Sequence, residues 1–260
     1  MSRDNNQHIK IGIIGFGAFG QLIARHLNPY FQLYAYDCAA APQKTRIHGV
    51  TLTSMEKAAL CEIVILATPV ATLDRVVEMI APHLIPGALV LDVGSVKVGP
   101  ADIMRCGLPA HVDIVATHPL FGPQSARDGI TGLKIAVCSV RGRRFHRVAA
   151  FLKKRLALDV IVTTPEDHDR EAAMVQGLTH LIAKVLVQME PLPARMTTKS
   201  FDLLMRAVSM VRHDAPEVFQ AIEHANPYAL QVRQRFFELA DRVNEELKRA
   251  QPVAAREEAA

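Results

Sequence analysis

The first two thirds of the chain alternate between two hydrophobic patterns. Short, continuously apolar runs rich in Val and Ile are typical of parallel strands buried on both faces. Between them lie stretches in which apolar residues recur at helical spacing, for example residues 70–83 and 143–156. The pattern predicts strands at residues 9–15, 31–36, 63–67, 88–92, 114–117, 134–138 and 160–163. Strands alternating with helices indicate an α/β fold with a doubly wound parallel sheet.

The pattern changes at the segment Thr163-Thr164-Pro165-Glu166-Asp167. Thr164 is a suitable cap for a helix that begins at Pro165, and no strand is predicted from there to about residue 249. Two apolar stripes at helical spacing follow: Ala172, Val175, Thr179, Ile182, Leu186 and Met189, and then Ala229, Val232, Phe236, Ala240, Val243 and Leu247. We therefore predict an all-helical domain at residues 165–260 after a first domain at 1–164. The apolar surface exceeds what one small domain covers, which predicts a homodimer.

Composition narrows the class of protein. Of the 260 residues, 50% are hydrophobic, and the net charge of +4 is spread without a Lys/Arg block, which argues against nucleic acid as a partner. No apolar run approaches the roughly 20 residues needed to cross a bilayer, and the polar start does not resemble a signal peptide. The four cysteines form no C-x-x-C pair, so we expect reduced thiols, no metal site and a cytoplasmic location.

Residues 11–20 read IGIIGFGAFG, a G-x-G-x-x-G pattern that follows an apolar strand and opens a helical stretch. In this context Gly15 permits a tight turn, Gly17 lets the backbone approach a pyrophosphate, and Gly20 allows close packing of helix on strand. Ala18 and Phe19 complete the loop, whose helix N-terminus offers free N–H groups to phosphates. The loop predicts a Rossmann-like dinucleotide-binding domain.

Asp37 ends the next predicted strand, at the distance past the glycines expected for an acid that binds ribose. A carboxylate accepts hydrogen bonds from the ribose diol and repels a 2′-phosphate, which favours NAD over NADP, although Lys44 or Arg46 nearby could compensate. Thr68 and Pro69 follow another strand. They either contact the same cofactor or form a plain helix start.

Two further strand ends carry polar groups. The segment LDVGSVK places Ser95 and Lys97 after one strand, and ATHPLFGPQS places His118 and Gln124 after another. Both fall at the carboxyl edge of the sheet, where this fold binds ligands. Oxidation of an alcohol requires a group that takes the hydroxyl proton, and a neutral histidine does so near pH 7. His118 is therefore the candidate base, although a strand-end histidine is by itself unremarkable.

The segments GFGAFG, DVGSVK, HPLFGPQ and TTPEDHD, in this order, resemble the prephenate/arogenate dehydrogenases of tyrosine biosynthesis, over about residues 10–247. MTTKSFDLL at residues 196–204 resembles the compact, plant-type arogenate dehydrogenases. The resemblance implies that His118 accepts the proton of the substrate's ring hydroxyl and that Ser95 hydrogen-bonds the same hydroxyl. Lys97 would position the loop rather than take part in the chemistry.

The resemblance also implies a set of substrate-binding residues. Gln124 stands where many relatives carry an acid, and His168 matches a second family histidine, with a capping or surface role as the alternative. Gln176 and Thr198 match positions that line the substrate pocket in the compact members. An arginine that grips a substrate carboxylate is expected in the broader bacterial pattern, and Arg206 and Arg212 are both candidates here.

The two family substrates differ by one charge, because arogenate has an ammonium where prephenate has a keto group. An acidic residue in the pocket would select arogenate. In the compact enzymes, one position of the pocket is either acidic or neutral. Alignment from Thr198 without gaps puts Asp214 at that position, where it would act either as an ammonium clamp or as the cap of a helix after Pro216. We expect an arogenate dehydrogenase, with a prephenate or dual-specificity enzyme as the alternative.

Two hypotheses outside this family are also compatible with the sequence. Hydroxyacid dehydrogenases and pyrroline carboxylate reductases share the plan of a dinucleotide domain with a helical dimerisation domain. A catalytically silent, NAD-binding regulatory dimer is the non-enzyme alternative. The combination of DVGSVK with HPLFGP, including Ser95 and His118, favours the dehydrogenase of cyclohexadienols over both.

Overall fold

The computed structural model describes residues 9–38 and 47–250. Its strands are β1 (Lys10–Ile14), β2 (Gln32–Tyr36), β3 (Val50–Leu52), β4 (Ile63–Leu66), β5 (Leu89–Asp92), β6 (Asp113–Pro119), β7 (Lys134–Arg141) and β8 (Asp159–Thr163). They form one sheet in the order β3-β2-β1-β4-β5-β6-β7-β8. The first six strands have the 3-2-1-4-5-6 order of dinucleotide-binding folds, so the predicted doubly wound, Rossmann-like sheet is confirmed.

Two features of the sheet differ from the prediction. β7 runs antiparallel to β6, with His118 opposite Ala136, whereas all strands were expected to be parallel. Residues 120–133 between them form turns but no helix, and a parallel connection needs a crossover that is usually helical. The edge strand β3 was not predicted, because three residues with a polar centre at Thr51 are too few for a hydrophobic pattern.

Both faces of the sheet are covered, as continuously apolar strands require. In β4, Val64 and Leu66 belong to one apolar core while Ile65 belongs to the core on the opposite face. The α-helices of the described residues are α1 (Ala18–Leu27), α2 (Met55–Ala59), α3 (Leu73–Ile80), α4 (Val98–Gly107), α5 (Phe145–Lys154), α6 (Pro165–Ala172), α7 (Leu178–Gln188), α8 (Lys199–Val211), α9 (Pro216–Gln220) and α10 (Ala229–Ala250). None of them has both the length and the apolar content that crossing a membrane requires.

The helical part begins where the sequence predicts it. Thr164 Oγ1 accepts a hydrogen bond from Asp167 N at 3.1 Å and caps α6, and no strand follows in the described residues. A π-helical turn (Ala173–Gly177) joins α6 to α7, so the first apolar stripe lies on one long helical segment. A second π-helical turn (Ala221–Ala225) contacts the first. Such turns are frequent at functional sites. The division into domains at residue 164 stays a prediction.

Candidate active site

The turn from β1 into α1 leaves open space at Gly17. Gly15 has a φ of +96°, and a Cβ there would lie 2.5 Å from Ala67 O at the end of β4. A Cβ on Gly20 would lie 2.2 Å from Gly15 O, so the turn itself requires both glycines. A Cβ on Gly17 would meet no described atom within 4 Å. Among the described residues, nothing in the packing of the turn requires glycine at position 17, which lies beside the uncapped N-terminus of α1.

Asp37 and Thr68 lie beside the glycine loop. Asp37 Oδ2 accepts a hydrogen bond from Phe16 N at 2.6 Å, which holds the carboxylate beside the glycine loop. The hydroxyl of Thr68 is buried and has no hydrogen-bond partner among the described residues. A buried polar group without a partner is costly, and a bound ligand would supply one. Together with the N–H groups of α1, these residues fit the ribose and phosphates of a nicotinamide dinucleotide.

Two other predicted cofactor residues, Pro69 and Phe19, also make contacts within the chain, and their contact with a cofactor stays a prediction. Pro69 precedes a 3-10 turn (Val70–Thr72), and its carbonyl accepts a hydrogen bond from Thr72, so the segment does form a helix start. The ring of Phe19 lies 6.4 Å from that of Phe121, which joins the glycine loop to the HPLFGP segment. Lys44 and Arg46, which bear on the choice between NAD and NADP, lie outside the described residues.

His118 lies near the carboxyl end of β6 and is 4% exposed. Its Nδ1 is 2.8 Å from Nε2 of His168 on α6, which is also buried. The capping or surface role considered for His168 is therefore wrong, because Thr164 provides the cap instead. The fold brings together two histidines that are 50 residues apart in the chain.

The surroundings of His118 keep its ring neutral. Burial lowers the pKa of His118 well below the ordinary value of 6.5, because an imidazolium loses its hydration there. The ammonium of Lys97, and a positive charge on the neighbouring His168 when that ring carries one, lower this pKa further. A neutral imidazole near pH 7 has a free lone pair, which is what a base requires.

Asp169 is a buried residue at the centre of the site that the sequence analysis missed. Its Oδ1 accepts hydrogen bonds from His168 Nδ1 at 2.8 Å and from Lys97 N at 2.7 Å, and its Oδ2 accepts one from Val98 N at 2.8 Å. The carboxylate thus caps α4, where the helix dipole favours negative charge. Adjacent residues on a helix point in different directions, so a joint role with His168 is not visible in the sequence.

Lys97 is the second fully buried charge of the site. Its Nζ donates hydrogen bonds to the carboxylate of Asp92 and, at 2.7 Å, to Thr117 O. These bonds hold the DVGSVK loop against the strand that carries His118, in keeping with the positioning role expected of Lys97. Ser95 lies in this loop and is partly buried, whereas Gln124 is exposed in the turn that follows β6.

Asp214 lies next to the HPLFGP segment. Its Oδ1 is 3.6 Å from the position that a Cβ on Gly122 would take, and its Oδ2 is 3.2 Å from Nε2 of His180. The alternative role as a helix cap is wrong, because Ala215 is the cap residue of α9 and no side chain caps that helix. His180, a buried residue of α7 that the sequence analysis missed, also contacts the Gln176 carbonyl oxygen through Nδ1 at 2.9 Å.

The remaining predicted substrate residues divide into two groups. Gln176 lies in the first π-helical turn, and its Oε1 is buried without a partner among the described residues. Thr198, Arg206 and Arg212 are exposed. Thr198 caps α8, and the two terminal guanidinium nitrogens of Arg212, Nη1 and Nη2, donate to the Glu190 carboxylate. No hydrogen bond or ion pair found in residues 9–38 and 47–250 joins these three residues to His118, and their roles stay predictions.

Comparisons with known proteins agree with this arrangement. The sequence-family model described as "Prephenate dehydrogenase, nucleotide-binding domain" matches residues 27–137. The family model described as "Prephenate dehydrogenase, dimerization domain" matches residues 164–255. The chain is 28% identical to "Arogenate dehydrogenase 1, chloroplastic" of Arabidopsis thaliana, over 90% of this chain and 38% of that protein. It is also 28% identical to "Probable arogenate/prephenate dehydrogenase" of Methanocaldococcus jannaschii, over 94% of this chain and 58% of that protein. The chain thus spans less than two thirds of either relative.

Solved structures share the fold. Prephenate dehydrogenase from A. aeolicus, in complex with hydroxyphenyl propionate and NAD+, aligns with a TM-score of 0.73 at 21% identity, over 95% of this chain and 93% of that one. Synechocystis arogenate dehydrogenase aligns with a TM-score of 0.66 at 20% identity, over 93% and 92%. The two matched domain models together cover most of the sequence, and the sheet and helices agree with them. The chain therefore belongs to the prephenate/arogenate dehydrogenase family.

Proposed function

We propose that this chain is an NAD-dependent arogenate dehydrogenase that converts L-arogenate to L-tyrosine by oxidative decarboxylation. The observation that carries the proposal is the buried imidazole of His118, whose lowered pKa keeps it neutral at the carboxyl end of β6. The open space at Gly17 and the carboxylate of Asp37 lie at the same edge of the sheet, where a dinucleotide binds in this fold. NADP is the alternative cofactor.

The chemistry needs a base and a hydride acceptor. His118 takes the proton of the ring hydroxyl, and Ser95 hydrogen-bonds the same oxygen. The nicotinamide, when bound, supplies the hydride acceptor. Oxidation converts the substrate into a vinylogous β-keto acid, so its ring carboxylate leaves as carbon dioxide and the released electron pair enters the ring. The ring becomes aromatic, and its phenolate oxygen takes the proton back from the His118 imidazolium.

The choice of arogenate rests on Asp214. A partly buried carboxylate beside the HPLFGP segment would pair with the substrate ammonium, and it would stay unpaired if a keto acid bound instead. Gln176, in the adjoining π-helical turn, has a buried amide oxygen that a substrate could satisfy. We propose that these two residues contact the amino acid end of arogenate.

One observation favours dual specificity as the second candidate. His180 Nδ1 faces the carbonyl oxygen of Gln176, which only accepts hydrogen bonds, while His180 Nε2 faces Asp214. A carbonyl oxygen and a carboxylate both accept hydrogen bonds, so the ring can donate to either partner. A hydrogen bond from His180 to Asp214 would partly satisfy the carboxylate and reduce the penalty for a keto acid, so that prephenate is also accepted.

We also propose that the chain acts as a homodimer through its helical part. The second apolar stripe continues to the end of α10, where Val243 is 53% and Leu247 is 63% exposed. Met196, just before α8, is 84% exposed, and Leu203, within α8, is 54% exposed. Large apolar side chains exposed along a helix are typical of a surface that another chain covers. Residues 164–255 match a family model described as a dimerisation domain, which supports a second copy of the chain as the partner of this surface.

Replacement of His118 tests the base. His118→Asn removes the proton acceptor, so kcat on arogenate is expected to fall by about 10²- to 10⁴-fold while the Kd for NAD stays near that of the wild type. In the wild type, kcat/KM is expected to stay level through neutral pH and to fall only on the acid side, below pH 6.5, because the lowered pKa delays protonation of the base. Steady-state kinetics across pH measure both effects, and near-normal turnover of the variant would refute the assignment.

Replacement of Asp214 tests the substrate. Asp214→Asn removes the charge that pairs with the ammonium, so kcat/KM for arogenate is expected to fall about 10- to 100-fold with little change for prephenate. Paired kinetics on both substrates measure the ratio. Asp241→Asn, on the exposed surface of α10, is the matched control. An unchanged ratio in the Asp214 variant would exclude the clamp.

Gly17→Ala tests the cofactor site apart from the stability of the fold. A Cβ at position 17 meets no described atom within 4 Å, so the melting temperature is expected to change little. The same methyl group enters the space proposed for the pyrophosphate, and the Kd for NADH is expected to rise at least about tenfold. Gly99→Ala, whose Cβ also meets open space, is the control for fluorescence titration with NADH. Equal Kd values would contradict the site.

The dimer is tested by a charge placed in the apolar stripe of α10. Sedimentation of the wild type is expected to give the mass of two chains, and Val243→Glu is expected to shift the equilibrium to monomers because the carboxylate would be buried at the interface. Leu60→Glu, at an equally exposed apolar residue after α2, should leave the mass unchanged. A monomeric wild type would overturn the proposal.

A further inference from the structure

We infer that Asp169 is a positioning residue which, acting through His168, determines which ring nitrogen of His118 carries the hydrogen. Asp169 Oδ1 lies 2.8 Å from His168 Nδ1, and His168 Nε2 lies 2.8 Å from His118 Nδ1. All three side chains are buried. The significance for catalysis rests on the proposed role of His118 as the base, whereas the hydrogen positions can be tested without any substrate.

The hydrogen positions follow from the carboxylate. An ionised carboxylate only accepts hydrogen bonds, so the hydrogen between Asp169 and His168 belongs to His168 Nδ1. A neutral His168 then has a lone pair on Nε2. His118 must donate from Nδ1 to fill that contact, which leaves the lone pair of its own ring on Nε2. The arrangement prepares Nε2 of His118 as the proton acceptor for the substrate.

Asp169 is suited to this task because its orientation is held by several bonds. Lys97 N and Val98 N donate to its two carboxylate oxygens, and Asn226 Nδ2 donates to its main-chain oxygen at 2.8 Å. The carboxylate therefore cannot rotate without breaking bonds to the first turn of α4. The positive charge of Lys97 is itself paired with Asp92, so it does not compete for the Asp169 carboxylate.

The contacts from Asp169 through His168 to His118 also assist the reaction after His118 has accepted the substrate proton. His118 becomes an imidazolium, and its Nδ1–H still donates to His168. The negative charge of Asp169, two hydrogen bonds away, stabilises the positive charge in a buried environment where electrostatic effects are strong. Without Asp169, His168 could instead carry its hydrogen on Nε2 and donate to His118. His118 Nε2 would then hold the hydrogen and could not accept another.

The hydrogen positions can be observed directly. Long-range ¹⁵N–¹H correlation spectra of the wild-type protein without ligands, at neutral pH, report which nitrogen of each neutral imidazole is protonated. His118→Asn identifies the His118 signal by its loss. We expect Nδ1–H for both His118 and His168, and a shift of His118 toward the Nε2–H form in His168→Leu. An Nε2–H form of His118 in the wild type would overturn the inference.

Kinetics supply the second readout. His168→Leu removes the acceptor for His118 Nδ1, and kcat is expected to fall about 100-fold with KM for arogenate within about threefold. His168→Gln retains a carbonyl oxygen that can accept from His118, and it should recover kcat to within about tenfold of the wild type. His146→Leu, at an exposed histidine of α5, is the control. Equal losses in the Leu and Gln variants, or a loss confined to KM, would contradict a positioning role.

Asp169→Asn is the direct but harsher variant. Its amide places an NH₂ group among three N–H donors, so a lower melting temperature is expected as well as a loss of kcat. His168→Leu leaves the backbone contacts of Asp169 in place and keeps the inference testable if Asp169→Asn does not fold. Should the wild type show the expected hydrogen positions but turn over no cyclohexadienol, the proposed function would fail while the positioning role stood.

Discussion

The hydrogen bonds that the buried carboxylate of Asp169 accepts are the interactions on which the site depends. Asp169 belongs to α6, at the start of the helical part, yet it caps α4 in the sheet part and hydrogen-bonds His168. A charged group this deep is stable only when hydrogen bonds replace its lost hydration, and here three N–H groups do so. Movement of α6 away from the sheet would leave these donors and the carboxylate unpaired. The geometry of the histidines is therefore tied to the packing of the two parts of the chain.

The sheet supplies the second constraint, because it brings the carboxyl ends of several strands, with the loops that follow them, to one edge. Because β1, β4, β5 and β6 are parallel neighbours, their carboxyl ends lie along one edge. The glycine loop, Thr68, the DVGSVK loop and His118 each follow or end one of these strands. Close backbone contact at Gly15 keeps the edge compact, while Gly17 leaves room for a ligand. The chemistry proposed for His118 thus draws on this strand order, on the contact with His168, and on burial that lowers the pKa of the imidazole.

The helical part contributes selectivity and assembly rather than the base itself. Its π-helical turn carries Gln176, and the segment before α9 brings Asp214 and His180 into contact. The Asp214 carboxylate also contacts His180, so a pair of side chains governs the choice of substrate in the proposal. The outer faces of α8 and α10 stay apolar and exposed in the single chain, as expected of a surface that a second copy covers.

The sequence by itself determined the sheet class, the glycine loop and the family. It also indicated His118 and His168. Strand periodicity and glycine spacing operate over a few tens of residues, and the family follows from the order of short motifs along the chain. The antiparallel β7, the pairing of His118 with His168, and the roles of Asp169 and His180 depended on tertiary structure. Each joins residues that are distant in the chain, or points a side chain in a direction that only packing sets. Local patterns carry no information about such contacts, because burial and hydrogen-bond partners are properties of the folded chain.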